Sequence, residues 1–300
     1  MPELPDIQLY LHALRPRVLG QAIADVRIAS PFVLRTYDPP IDMLVGRFVR
    51  TVDRLGKRIV FGFDGELFLV VHLMIAGRFR WSDKPGLKLA GKAGLASFAF
   101  PHGTLQLVES SPKKRAGIWL VQGKEELAKH NPGGLDLFAI GPTEFASRLR
   151  EKNHTLKRAL TDPRLFDGVG NAYSDEILHA AGLSPVKLSQ SLTEEETDRL
   201  LSAARMTLGR WTGHLINEFA DRFPAPTDVT AFRPDFAVHG KFGEPCPVCE
   251  TKVQRIRYAE NETNYCPRCQ TGGKLLADRS LSRLLKKDWP RTIEELESSK

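Results

Sequence analysis

All four cysteines of this 300-residue chain fall between positions 246 and 269. Cys246 and Cys249 form one C-x2-C pair, sixteen residues follow, and Cys266 and Cys269 form the second. Each pair presents two thiolates from one tight turn, and the two turns together complete a tetrahedron. Four sulfur ligands leave no open coordination position, so the spacing predicts one structural Zn2+ and not a catalytic metal. A redox pair or two disulfides are the alternatives that the cysteines alone leave open. The N-terminus reads MPELPDIQ, with acids at Glu3 and Asp6 and no basic-then-apolar leader, which predicts a cytoplasmic chain and so favours metal over disulfides. Lys252, Arg255 and Arg257 lie between the pairs and Arg268 inside the second. A metal-tied hairpin carrying these cations suits contact with phosphate, or is a solvated basic face.

The rest of the chain changes period twice. Ile7, Tyr10, Leu11, Leu14 and Val18 recur at helical spacing over residues 3–19, with Pro5 in the first turn and Gly20 at the end. From about 22 to 120 the apolar period is two. Ile59, Phe61 and Phe63 lead to Asp64-Gly65, a two-residue hairpin signal, and Leu67, Leu69 and Val71 follow. A second pair covers 97–100 and 104–108 around Pro101, His102 and Gly103. One leading helix with many short strands predicts a β-sandwich or flattened barrel. His130 to Gly134 reads as a linker, after which helices are expected near 143–151, 154–161, 172–181 and 193–218. The tail carries a basic amphipathic stretch with Leu281, Leu284 and Leu285 on one face, and Thr292 with Glu295 fits a capping box.

Lys and Arg exceed Asp and Glu by 43 to 36, a net charge of +7. That surplus favours a polyanionic partner, because cationic side chains release counterions from phosphates. No apolar run is long enough to span a bilayer, so no membrane role is expected. Pro2 follows the initiator methionine and is small enough for Met1 to be removed. The chain would then begin with a secondary amine beside the Glu3 carboxyl. Such an amine attacks an electrophilic sugar carbon only as the free base, and burial or nearby cations would supply more of it near neutral pH.

MPELPD at the start, RLGKR at 54–58, DGVGNAYSDEIL at 167–178 and GEPCPVC…YCPRCQ at 243–270 occur in this order. Together they resemble the formamidopyrimidine-DNA glycosylase/endonuclease VIII family of base-excision repair enzymes, over residues 1 to about 270. The resemblance implies an α+β, multidomain fold: an N-terminal β-sandwich with a leading helix at 1–125, a helix–two-turn–helix domain at 126–235, and a four-cysteine zinc finger at 236–272. A C-terminal extension at 273–300 would follow. It implies a bifunctional DNA glycosylase and AP lyase that removes oxidised bases from double-stranded DNA, with zinc and no small-molecule cofactor; with no closing symmetric surface evident in the sequence, a monomer is the default expectation. Pro2 matches the family's Schiff-base nucleophile, Glu3 the acid at the sugar ring oxygen, and Lys57 a hairpin lysine that contacts phosphate near the lesion. Asn171 matches a phosphate-binding asparagine at a helix start, where Gly168 and Gly170 allow a tight turn and Asn171 caps the helix. Lys157 matches a lysine on the same domain's DNA face.

Three positions depart from the family pattern in the DNA-contacting loops, and one in the opening motif. Asn261 stands where the finger hairpin usually carries arginine, between Glu260 and Glu262. In HLMIAG at 72–77, Ile75 aligns with the methionine wedge that fills the stack behind a flipped base, and Met74 lies one place earlier. In SPKKRAGIW at 111–119, Arg115 aligns with the arginine that faces the orphaned base, and Ala116 replaces the aromatic wedge. Asp6 replaces the usual glutamate of the opening motif. The rival expectation is a non-catalytic binder of damaged or abasic DNA with the same fold. The extension either adds DNA contact or packs on the finger.

Overall fold

The computed structural model describes all residues except 30, 90, 259–260, 278–289 and 299–300, and for 258, 261 and 297 the backbone alone. Two compact units emerge. The first comprises Met1–Pro132 with Arg210–Ala231, and the second Gly133–Gly209 with Phe232–Lys300. The first break falls inside the expected linker.

The first unit begins with helix α1 (Leu4–Val18), which carries Pro5 in its opening turn. Proline is tolerated there because the first helical N–H groups have no intrahelical acceptor. Ile7, Tyr10, Leu11, Leu14 and Val18 are buried, as the spacing predicts. The strands are β1 (Asp25–Ile28), β2 (Val49–Leu55), β3 (Arg58–Phe63), β4 (Leu67–His72), β5 (Gly77–Ser82), β6 (Gly94–Phe100), β7 (Gly103–Glu109) and β8 (Gly117–Gln122). They form two antiparallel four-stranded sheets in the orders β1-β6-β7-β5 and β2-β3-β4-β8. Phe61, Leu69 and Ile118 of one sheet share a core with Phe79, Phe98 and Leu107 of the other. Burial of each such side chain contributes about 1.5–3 kcal/mol. A β-sandwich with a leading helix is therefore the observed fold. Helix α2 (Lys124–Ala128) follows, with its Leu127 against Val60, Val70 and Val121 on the other face of the second sheet.

Two hairpins differ from their sequence signals. Phe63 pairs with Leu67, so the β3–β4 loop holds three residues, Asp64, Gly65 and Glu66, and not two. Gly65 at φ 74 and Glu66 at φ 56 carry the reversal. Phe100 pairs with Gly103, which leaves only Pro101 and His102 in the β6–β7 turn. Gly103 is a strand residue chosen for space: a Cβ there would lie 2.3 Å from Trp81 Cζ2 and 2.6 Å from the Ser82 carbonyl oxygen.

The second unit holds α3 (Pro142–Arg150), α4 (Leu156–Thr161), α5 (Asn171–Ala180) and the N-terminal part of α6 (Glu194–Glu218). These match the expected helices to within a few residues. Residues 210–231, read with the helical domain in the sequence, contribute Leu215, Phe219 and Val229 to the core of the first unit. The N-cap of α5 is Gly170, so Asn171 is the first helical residue and not the cap. Strands β9 (Gln254–Tyr258) and β10 (Asn261–Tyr265) form the finger hairpin, and α7 (Pro267–Thr271) carries the last cysteine. Before α8 (Ile293–Ser298), Thr292 Oγ1 accepts from the Glu295 N–H at 3.3 Å, and Glu295 Oε2 accepts from the Arg291 N–H at 2.7 Å. This is the expected box with its return bond moved one residue outward. The amphipathic stretch around Leu281, Leu284 and Leu285 lies outside the described residues. Among the described residues, no helix is long and apolar enough to cross a membrane.

Gly103→Ala is expected to lower stability by about 1–3 kcal/mol through overpacking against Trp81, read as a lower urea midpoint with an unchanged slope.

Candidate active site and metal centre

The start of the chain is fixed before any chemistry is asked of it. Glu3 is the N-cap of α1 and Asp6 the third helical residue, and the two form a reciprocal capping box. Asp6 Oδ2 accepts from the Glu3 N–H at 2.9 Å, so the shorter carboxylate still closes the motif. Glu3 and Asp6 are both 2% exposed, and Pro2 is buried. The amine of Met1 is held below its ordinary 8.0 chiefly by burial. Arg78 and Lys57 lower it further, whereas Glu3 and Asp6 pull it up. Lys57 sits half-buried in the β2–β3 turn, where Leu55 pairs with Arg58 and only Gly56 and Lys57 lie between. Pro2 and Glu3 thus share one buried terminus, and its amine feels the charge of Lys57, the third sequence-predicted residue. Arg78 is a fourth member that no motif announced.

The expected wedge residues occupy the turn between β4 and β5. Met74 adopts φ 54, a left-handed conformation costly for a residue with a side chain, and Ile75 is 52% exposed. The Gly77 N–H closes the turn on the Leu73 carbonyl at 2.9 Å. A Cβ on Gly77 would lie 2.3 Å from that oxygen and 3.0 Å from the Ala116 Cβ, so the turn and the β7–β8 loop touch. That loop is held by buried Glu109, whose Oε2 accepts from the Ala116 N–H at 2.9 Å, and whose carbonyl accepts from Lys114 Nζ. Arg115 is exposed, whereas Ala116 is buried in the sandwich core. His72, just before the turn, has its pKa pushed down to about 4 by burial and then by Arg58 and Lys57.

In the second unit, the loop ending at Gly170 leads into α5. Lys157 Nζ donates to the Asn171 carbonyl at 2.9 Å and pairs with Asp175 Oδ1 at 2.5 Å. Its side chain is 13% exposed, so the lysine expected at the DNA face is turned inward onto a carboxylate. Asp175, fully buried, also takes His239 Nδ1 at 2.7 Å and the Asn264 backbone N–H at 3.1 Å on its other oxygen. The neighbouring Glu176 accepts from the backbone N–H groups of Ala237 (2.8 Å), Val238 (2.9 Å) and His239 (2.9 Å). Burial pushes its carboxyl pKa up, against the pull of those donors. Two adjacent acids of α5 thus tie the finger hairpin and the segment before it to the helix. Asn261 opens β10 opposite Tyr258, and its side chain lies outside the description.

The sulfurs of Cys246, Cys249, Cys266 and Cys269 lie within 4.8 Å of one another. Contacts of 3.4 Å (Cys249–Cys266), 3.4 Å (Cys249–Cys269) and 3.9 Å (Cys246–Cys269) bracket the edge of about 3.8 Å that a tetrahedral ion with Zn–S bonds of about 2.3 Å requires. All four are free thiols, which removes the disulfide alternative. The site is a structural zinc centre with its four positions filled by protein. His179 of α5 places Nε2 at 3.2 Å from Cys246 Sγ, and burial lowers its pKa. With its hydrogen on Nε2 the ring donates to the thiolate and orients it.

Removal of this contact in His179→Ala is expected to weaken zinc retention by about 10–100-fold against a competing chelator, with one ion per chain still bound at saturation. His72 supplies a second expectation. Its folded pKa of about 4 lies below the ordinary 6.5, so unfolding takes up a proton between these values and stability falls as pH drops through that window. The loss approaches about 3 kcal/mol below pH 4, and His72→Gln should flatten the slope in urea titrations run across the range.

Comparison with known proteins agrees with this geometry. Residues 1–117 match the model of the formamidopyrimidine-DNA glycosylase N-terminal domain, residues 138–211 its H2TH domain, and residues 243–272 a zinc finger found in FPG and IleRS. The formamidopyrimidine-DNA glycosylase of Thermus thermophilus is 34% identical over 280 residues, covering 91% of this chain and all of that protein. Its counterpart in Laribacter hongkongensis is 32% identical over 279 residues, 90% of this chain and all of the relative. The crystal structure of MutM (Fpg) from Thermus thermophilus superposes with a TM-score of 0.74 at 31% identity, covering 90% of this chain and 98% of that one. The Lactococcus lactis Fpg in complex with abasic-site DNA shares the fold, with a TM-score of 0.78 at 22% identity, over 90% of this chain and 99% of that one. The sandwich with its buried terminus, the α5 domain and the four-cysteine centre place this chain in the formamidopyrimidine-DNA glycosylase family.

Proposed function

We propose that this protein is a base-excision repair enzyme that removes oxidised bases from duplex DNA and cleaves the resulting abasic site. The observation that carries the reading is the buried terminus formed by Pro2 and Glu3, where burial and the charges of Arg78 and Lys57 act to lower the amine's pKa. Loss of Met1 turns the Pro2 nitrogen into a secondary amine in the same surroundings, where desolvation and two cations favour the free base. That nitrogen attacks C1′ of the damaged nucleotide, and the N-glycosidic bond breaks with its electron pair leaving on the base. Glu3 protonates the sugar ring oxygen, so the ring opens as the C1′–N iminium forms. The iminium takes up the electrons released when a C2′ proton is removed, which expels the 3′ phosphate by β-elimination. A further elimination at the 5′ side releases the second phosphate.

The other assigned residues hold DNA. Lys57 and Arg115 face phosphate and the orphaned base, and Ile75, exposed on its strained turn, fills the stack with Met74 beside it. The α5 N-terminus with Asn171 binds a backbone phosphate through its N–H groups. Lys157 supports that site by holding the Asn171 carbonyl. Asn261 brings a neutral donor where the family has a cation, so the finger grips phosphate more weakly than an arginine would. A monomer in the cytoplasm is the working form.

Borohydride trapping on abasic duplex tests the reading. The mature protein is expected to give a covalent adduct, Pro2→Gly to lose it by at least about a hundred-fold, and Glu3→Gln to lose base excision while retaining DNA binding. Binding without an adduct, with Met1 shown absent by mass spectrometry, would identify a non-catalytic damage binder instead.

A further inference from the structure

The mechanism assigns Arg78 no bond to DNA, yet its guanidinium is committed to three backbone carbonyls. Nη1 donates to Ile75 O at 3.1 Å in the β4–β5 turn and to Gly77 O at 2.7 Å at the start of β5. Nε donates to Val229 O at 2.6 Å, from a residue 151 positions away in sequence. The Val229 end is itself rigid. Asp228 Oδ2 accepts from the Ala225 N–H at 2.8 Å and from Arg222 Nη1 at 2.8 Å, the Asp228 N–H returns to the Ala225 carbonyl at 3.0 Å, and Val229 is buried in the sandwich core. On the other side, Met74 sits at φ 54 and Ile75 projects its side chain into solvent. A strained, exposed turn relaxes unless its surroundings over-determine it. The Gly77–Leu73 bond closes the turn on itself, whereas Arg78 ties it to a fixed point elsewhere in the unit.

We propose that Arg78 is a positioning residue for base extrusion, a brace that holds the Met74–Ile75 turn at a set height by donating at one end to the Ile75 carbonyl and at the other to the carbonyl of the anchored Val229. The proposal rests on the glycosylase reading for the identity of the wedge. Lysine cannot replace the brace, since a single ammonium on a shorter stem does not reach both ends with the planar fork that arginine offers. Misplacement by about 1 Å costs about a hundred-fold in rates that depend on alignment.

The test compares Arg78→Met and Arg78→Lys with the wild type in two assays: single-turnover excision of an oxidised base from duplex, and borohydride trapping on a duplex with a preformed abasic site, where no base remains to be extruded. A third readout is the fluorescence of 2-aminopurine opposite the lesion, which rises when the stack is opened and needs no catalysis. Both variants are expected to lose at least about ten-fold more in excision than in trapping, and to lose most of the fluorescence rise at saturating protein. Equal losses in excision and trapping, or an unchanged fluorescence rise, would overturn the brace. Failure of the wild type itself to form an adduct while the fluorescence rise still depends on Arg78 would reject the catalytic reading and leave the brace standing.

Discussion

The reciprocal bond between Glu3 and Asp6 at the start of α1 is the constraint from which the rest of the site takes its position. A chain terminus is ordinarily the most mobile part of a domain. Here the first helix turn caps itself, Ile7, Leu11 and Leu14 sink into the sandwich core, and residue 2 is buried beside that fixed helix start. A nucleophile at a terminus works only under that condition. Tyr10 strengthens it: its hydroxyl accepts from the Phe79 N–H at 3.2 Å, linking α1 to the strand that also carries Arg78.

The acidic pair of α5 plays a comparable part in the second unit. Asp175 and Glu176 lie on successive positions and so point to different neighbours, one toward Lys157, His239 and Asn264, the other toward the 237–239 backbone. Because each carboxylate accepts several donors, its burial is compensated. The same helix offers His179 to the zinc thiolate. One helix therefore ties the segment before the finger, the finger hairpin and the metal site together, which explains why its residues are almost all buried.

Much of this is legible in the sequence because it is local. The cysteine spacing marks the metal centre, the helical period marks α1, and Thr292 with Glu295 marks the last cap. The hairpin loops differ by one residue from their signals because strand register, which depends on what each strand faces across the sheet, overrides the turn dipeptide at Asp64-Gly65. Gly170 and not Asn171 caps α5, and the left-handed step of the turn falls two residues earlier, at Gly168 with φ 80. The roles of Arg78, Asp175 and His179 are not legible in the sequence for another reason, although Asp175 lies within the 167–178 motif. Each acts on a partner far away along the chain, and no short pattern marks an arginine in a strand or a histidine in a helix as anything but a surface residue.

The contact between Gly77 and Ala116 has an evolutionary corollary. A methyl group added to Gly77 would press on Ala116, and by the same geometry a larger residue at 116 would press on the tight turn at 77. Position 77 is held at glycine whatever stands at 116, because the Leu73 carbonyl oxygen would lie only 2.3 Å from the added carbon. A descendant with a bulky ring at 116 would have to make room for it within the β7–β8 loop, because the turn it faces has none to give.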